Sequence, residues 1–279
     1  MRKVFAVLTI ALMAITNAQS QQLKTPAPSP LATLKQAFGL SDITIEYSRP
    51  SAKGRVVYGD VVPFGQIWRT GANGATTITF GETTFVEGKE VAAGTYALYS
   101  IPNKESWTIM LYKDTKLGGN VGEYKQENEL IRFDVKPTQV SPKVETLSIN
   151  IADQTATTAN IELIWENTRV AFGIRVEVDE KIMKNIENVM IKDTKPYYTA
   201  ARYYYDNNKD LKQALEWATK ATEMNPSAYW VFMLKGNIQF KMGDKKGAAE
   251  TAQKVIELAK ADGDDAYVKM GEKLLKDSK

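Results

Sequence analysis

The sequence contains no cysteine and no histidine. The first absence excludes disulfides, thiolate nucleophiles and thiolate metal sites; the second excludes an imidazole base, a Ser-His-Asp triad and every His-containing zinc site. Stability must come from an ordinary apolar core, and the simplest chemistry left to an enzyme would be carboxylate-based glycoside hydrolysis. Charge of one sign is scarce as well, with 36 Lys and Arg against 33 Asp and Glu, the bases interspersed with the acids. No basic run or nucleic-acid-reading motif appears, so a nucleic-acid partner is not expected. Past the first twenty residues no stretch is apolar enough to span a bilayer, so no transmembrane segment is expected.

What is present begins with an address. Arg2 and Lys3 precede an apolar run over residues 4–15, and Thr16 and Ala18 place small side chains at the −3 and −1 positions of a cut before Gln19. This is the pattern of a cleaved secretion signal over residues 1–18. The net charge of +3 falls to +1 with the loss of Arg2 and Lys3, and the absence of Cys removes lipidation at the cleavage site. A soluble protein outside the cytoplasm, in the periplasm, is expected. Residues 19–30 carry Pro26, Pro28 and Pro30 among small polar residues and read as an extended linker.

From Asp42 the apolar period is two. Ile43, Ile45 and Tyr47 alternate with polar neighbours, as do Ile131, Phe133 and Val135, then Leu147, Ile149 and Ile151. Each reads as a half-buried strand. Ile161, Leu163 and Trp165 continue the pattern, and Val170, Phe172, Ile174, Val176 and Val178 extend it past a break at Asn167 and Thr168 that reads as a tight hairpin. Residues 95–101 and 107–112 are apolar on both faces, as strands covered on both sides should be. About nine or ten short strands without intervening helices predict an antiparallel β-sandwich over residues 31–178. Residues 31–40 fit a strand or a helical turn equally well, and residues 116–128 form one long Gly-rich connection.

The densest run of Arg, Gly and Pro lies over residues 48–80. Tyr47-Ser48-Arg49-Pro50, Lys53-Gly54-Arg55, Val62-Pro63-Phe64-Gly65, Ile67-Trp68-Arg69-Thr70-Gly71-Ala72-Asn73 and Ala75-Thr76-Thr77 resemble the secreted bacterial family catalogued as domain of unknown function 2911. The resemblance continues through Glu87-Gly88-Lys89, Ala93-Gly94-Thr95-Tyr96 and Ile101-Pro102 to the strand around Trp107, so it covers residues 30–178. Related sequences often carry an acid where this one has Gly74. The resemblance implies a secreted sandwich and no particular chemistry.

Arginine suits bidentate recognition of carboxylates and phosphates. Arg49, Arg55 and Arg69, with Trp68 as a stacking face and Thr70 and Asn73 as short polar contacts, are the candidate site for a small anionic or glycan ligand. The competing reading has the arginines satisfying loop carbonyls or pairing with Glu46, Asp60 and Glu82 while Trp68 fills core. Those same three acids are the candidates for a carboxylate-dependent glycan enzyme. Other motifs fail: Gly54 and Gly59 stand at the P-loop interval with Asp60 in place of the essential Lys, and Gly118, Gly119 and Gly122 lack a strand-to-helix context. Residues 262–265 resemble a calcium loop only until Lys273, which falls where the bidentate Glu belongs. No cofactor and no metal are expected.

After Val178 the period becomes helical. Ile182, Met183, Ile186, Val189 and Met190 share one face behind Asp179. Asp210 and Asp244, Ala214 and Ala248, and Ala221 and Val255 then recur at a spacing of 34. With Asn225 and Pro226 closing the first unit, this resembles two tetratricopeptide repeats. Asp264 or Asp265 opens a capping helix with Tyr267, Met270 and Leu274 expected inward. Residues 179–279 are therefore read as a helical domain that takes a protein partner. Tyr197, Tyr198, Tyr203, Tyr204, Tyr205, Tyr229 and Trp230 fit packing better than a binding face.

Overall fold

The computed structural model describes residues 25–190 and 195–279. The signal sequence expected over residues 1–18 and the start of the Pro-rich linker lie outside the described residues. The chain divides into two compact units, residues 1–177 and 178–279.

Among the described residues the first unit holds ten strands: β1 (Leu31–Phe38), β2 (Ser41–Ser48), β3 (Ala72–Phe80), β4 (Thr84–Val86), β5 (Lys89–Val91), β6 (Gly94–Ile101), β7 (Trp107–Tyr112), β8 (Glu129–Val135), β9 (Thr138–Ala152) and β10 (Thr158–Val176). They form a six-stranded sheet in the order β1-β2-β3-β6-β7-β8 and a four-stranded sheet in the order β5-β4-β10-β9. Every pairing is antiparallel. The alternation in β2 does what a period of two requires: Ile43, Ile45 and Tyr47 are buried while Thr44 and Glu46 are not. The inner faces of the sheets meet through Phe133 and Phe172, 5.4 Å apart, and through the Tyr47 hydroxyl, which accepts from Ile149 N at 3.0 Å.

Residues 31–38 resolve as a strand, paired along its whole length with β2. The tight turn at Glu87 and Gly88, with φ of 47° and 76°, joins β4 to β5; two consecutive left-handed residues match the twist of a hairpin.

One expectation is corrected. Asn167 and Thr168 do not turn the chain, and β10 runs unbroken for 19 residues. Buried positions change phase along it, from Ile161, Leu163 and Trp165 to Val170, Phe172, Ile174 and Val176. The pairing with β9 absorbs that change through register shifts on either side of Glu166, whose φ is 52°. A phase slip in an alternating pattern is what an extra residue in a bulge produces.

β6 and β7 occupy interior positions of the larger sheet. Their inner face contributes Leu98, Ile109 and Leu111 to the core, while Ala97, Tyr99, Met110 and Tyr112 form a second buried layer packed by Ile67, Ala75, Leu117 and Tyr124. The long Gly-rich connection thus lies over the outer face of these two strands. This is why both read as apolar throughout.

The second unit contains α1 (Asp179–Val189), α2 (Tyr197–Asp206), α3 (Leu211–Met224), α4 (Tyr229–Lys241), α5 (Lys245–Asp262) and α6 (Asp265–Asp277). Asp210, Asp244 and Asp264 cap α3, α5 and α6, each accepting first-turn backbone N–H groups. Asp179 is the first helical residue of α1 rather than its cap, and its carboxylate accepts from Tyr203 and Lys209. Small residues let the helices close on one another: a Cβ on Gly236 would stand 2.8 Å from Leu274, and one on Gly271 2.8 Å from Ile256. Met270 is corrected to an exposed position at 44%, because the inner stripe of α6 runs through Tyr267, Val268, Gly271 and Leu274. Tyr198, Tyr204 and Tyr205 pack on the Ala201, Ala214 and Ala218 cluster, and Tyr229 is buried.

Candidate functional site

Residues 49–71 form an irregular excursion between β2 and β3, and its hydrogen bonds show what each motif residue does. Arg49 Nε donates to the Leu147 carbonyl at 3.0 Å and Nη2 to Ser148 Oγ at 3.1 Å, tying the end of β2 to β9 in the opposite sheet. Arg55 donates Nε to the Ala52 carbonyl and Nη2 to the Ser51 carbonyl, both at 3.0 Å, and so closes its own turn. Both guanidiniums are thus engaged by protein acceptors.

Trp68 pairs with Ser100 of β6 through N–H to O contacts of 2.7 and 2.9 Å, which extends the larger sheet by one short bridge. Its ring is buried. It stacks 6.1 Å from Trp165 and meets Trp107 and Tyr58 edge-on, and its Nε1 donates to the Gly71 carbonyl. Thr70, fully buried at φ 55°, shares a 2.9 Å hydroxyl contact with Ser100, while its carbonyl accepts from Thr76 Oγ1 at 2.6 Å. Asn73, at φ 59°, donates Nδ2 to the Ser29 carbonyl and Ser48 Oγ. Asparagine tolerates this left-handed geometry better than most residues.

Side chains on a strand alternate, so with Trp68 directed inward Arg69 points outward, onto the face covered by the Gly-rich connection. A Cβ on Gly119 would stand 2.7 Å from Arg69 Nη1. Arg69 Nε is buried and makes no hydrogen bond to protein. Around it, Tyr99 donates its hydroxyl to the Gly118 carbonyl at 2.8 Å. Burial, with Tyr112 and Asp114 adding to it, pushes the Tyr99 phenol up to about 12, while Arg69 pulls the other way. Tyr124 stacks on Tyr112 at 4.5 Å and donates to Glu129. Burial would raise the Glu129 carboxyl, but hydrogen bonds from Arg132 and Tyr124 outweigh it and hold the group below its ordinary value. The six motif residues therefore serve different places: Arg49 and Arg55 anchor the excursion, Trp68 and Thr70 fill the interior, Asn73 fixes a bend, and Arg69 lies under the outer loop.

Of the acids considered for glycoside hydrolysis, Glu46 lies on β2, Glu82 just past the end of β3, and Asp60 in the excursion between those strands. Glu46 sits opposite Thr77, while Glu82 lies five residues further on and accepts from Leu40 N at 2.8 Å. Two other carboxylates, Glu87 and Asp153, line a cleft of about 350 Å³ with Asn160 and Arg175. Each is engaged: Glu87 accepts from Gly173 N, Asp153 from Asn160, and Arg175 pairs with Glu177.

A second cleft, of about 290 Å³, is lined by Tyr58, Phe64, Asn103, Lys104, Trp107, Pro137, Gln139 and Thr168. Phe64 belongs to the Val62-Pro63-Phe64-Gly65 motif and Tyr58 stands just before it, but neither residue type marks a cleft wall in sequence, since an aromatic beside turn residues reads as core. The turn chemistry of Gly59 was the available signal: its φ is 101°, and a Cβ there would meet the Phe64 ring at 2.9 Å.

The fold defines an antiparallel β-sandwich followed by a helical-repeat unit. The family model described as Protein of unknown function (DUF2911) matches residues 29–174, just over half of the chain, and the chain belongs to that family. Tetratricopeptide repeats match over residues 194–227 and 231–262. No curated protein matches the chain.

Proposed function

We propose that the protein is a secreted, non-catalytic binding or assembly module of the cell envelope, with a small anionic or glycan ligand at the sandwich motif and a protein partner on the helical repeats. The reading of the motif is carried by Arg69. A buried guanidinium nitrogen without an acceptor costs on the order of 1 to 3 kcal/mol, and a bound anion would remove that cost. Arg49, Arg55, Trp68, Thr70 and Asn73 contribute by holding the excursion on which Arg69 stands. Tetratricopeptide repeats support the protein-interaction half of the reading.

The test is mass spectrometry of what copurifies with the native protein, compared for the wild type, Arg69→Ala and a chain lacking residues 193–279. Loss of a small ligand with the first variant and of a protein with the second supports both halves. Identical copurifying material in all three contradicts them. Secretion is tested by N-terminal sequencing, which should begin at Gln19; a chain retaining Met1 on membranes would refute it.

A further inference from the structure

We propose that the cleft between the 58–65 loop and the β6–β7 turn binds one acidic sugar unit, through a set of residues separate from Arg69. The floor is aromatic and rigid. Trp107 is buried, Tyr58 meets it edge-on at 4.9 Å, Trp68 backs them both, and Trp165 backs Tyr58. Phe64 forms one wall and Pro137 another. The half-buried Tyr58 and Phe64 present the aromatic surface that suits the C–H face of a pyranose, with Trp107 packed behind Tyr58, and the cleft's 290 Å³ lies at the small end of ligand sites.

The polar groups of this cleft distinguish it from the larger one at Glu87 and Asp153, where the charged side chains already have protein partners. The Tyr58 hydroxyl, the Asn103 and Gln139 amides, the Lys104 ammonium and the Thr168 hydroxyl all line the cleft, and none has a protein hydrogen-bond or ion-pair partner among the described residues. Burial, and then the negative charge of Glu166, push the Tyr58 phenol up, so it remains a neutral donor. Glu166 itself is held by Lys143 and Val57 N, which leaves Lys104 as the cation lining the cleft. Two amides and two hydroxyls match a ring of hydroxyls, and one ammonium matches a single carboxylate. A phosphate or a nucleotide would call for more positive charge than one Lys supplies.

The loop is preorganised for this. Gly65 N donates to the Pro102 carbonyl, joining the motif to the β6–β7 turn that carries Asn103 and Lys104. Val57 N, Gly59 N and Val62 N are all bonded within the loop or to β10. Binding would then demand little ordering, which favours affinity for a small ligand.

The test is titration of the full-length mature chain with glucuronate and with glucose, read by tryptophan fluorescence and by saturation-transfer NMR. Glucuronate should bind saturably and at least tenfold more tightly than glucose. Lys104→Met should abolish that preference while leaving glucose binding unchanged. Tyr58→Phe, which keeps the ring and hence the packing, should weaken both sugars severalfold with Tm unchanged. Absence of saturable binding, equal affinity for the two sugars in the wild type, or binding indifferent to Tyr58→Phe would each overturn the proposal. Gly59→Ala provides an independent variant: it forces Phe64 to move, and sugar binding that survives it at full strength would equally refute the cleft.

Discussion

Gly119 lies directly over the Arg69 guanidinium, with room for a hydrogen but not for a methyl group at van der Waals distance. The contact sets the loop closest to the one motif arginine whose Nε has no acceptor. Because Nη1 is the end of a flexible side chain, Gly119→Ala should move the guanidinium rather than unfold the loop. Its Tm should stay within about 2 °C of wild type, the equivalent of under 1 kcal/mol, while retention of the copurifying ligand falls. A large Tm loss would make the contact structural.

Arg69→Ala removes an unsatisfied donor, so thermal unfolding should show an unchanged or slightly raised Tm. Arg49→Ala removes a satisfied donor and strands the Leu147 carbonyl, which should cost about 1 to 3 kcal/mol, or about 2 to 10 °C in Tm. Arg55→Ala should cost less, because Arg55 is exposed and the Ala52 carbonyl keeps the Arg55 backbone N–H. Equal losses in all three variants would remove the distinction between anchoring arginines and a ligand-facing one.

The raised phenol of Tyr99 makes a prediction about alkaline stability. A folded-state value of about 12 against an ordinary value near 10 means that the unfolded chain releases this proton first. The contribution is complete below pH 10 and is lost as pH rises toward 12. Urea midpoints measured from pH 9 to 12 should fall across that window, and less steeply for Tyr99→Phe. Since Arg69 draws the Tyr99 value down, Arg69→Ala should shift the phenol titration upward in absorbance at alkaline pH. A shift downward would place the guanidinium elsewhere.

The two units should differ in autonomy. A sandwich of about 140 residues buries nearly 70% of its extended-chain surface, whereas two repeats fall short of the roughly three that sustain a solenoid. Residues 25–177 expressed alone should melt cooperatively, and residues 193–279 should be marginal as a monomer. A sharp melt for the isolated helical fragment would contradict this.

The elements that were legible in sequence are those whose burial is one-sided. Ile43, Ile45 and Tyr47 announce β2 by period alone, and Asp210 and Asp244 mark helix starts because a cap is a local hydrogen bond. The bulge at Glu166 was misread as a hairpin because both produce a break in alternation, and only the partner strand β9 distinguishes them. For the candidate site, residue type pointed to Arg49, Arg55 and Arg69 alike. What separates them is which carbonyls come within 3 Å of each guanidinium, and those belong to Leu147 and Ser51, far away or near in sequence with no outward sign of either role.

The connection over residues 113–128 covers apolar side chains that an ordinary surface loop would leave alone. Ala97, Tyr99, Met110 and Tyr112 depend on Leu117 and Tyr124 for their shelter from water. A protease cut among Gly118, Gly119 and Gly122 would therefore do more than relax a surface segment. It would bare an apolar patch at the middle of a six-stranded sheet, of the kind through which proteins self-associate, so limited digestion at these glycines should appear first as turbidity and only later as lost secondary structure.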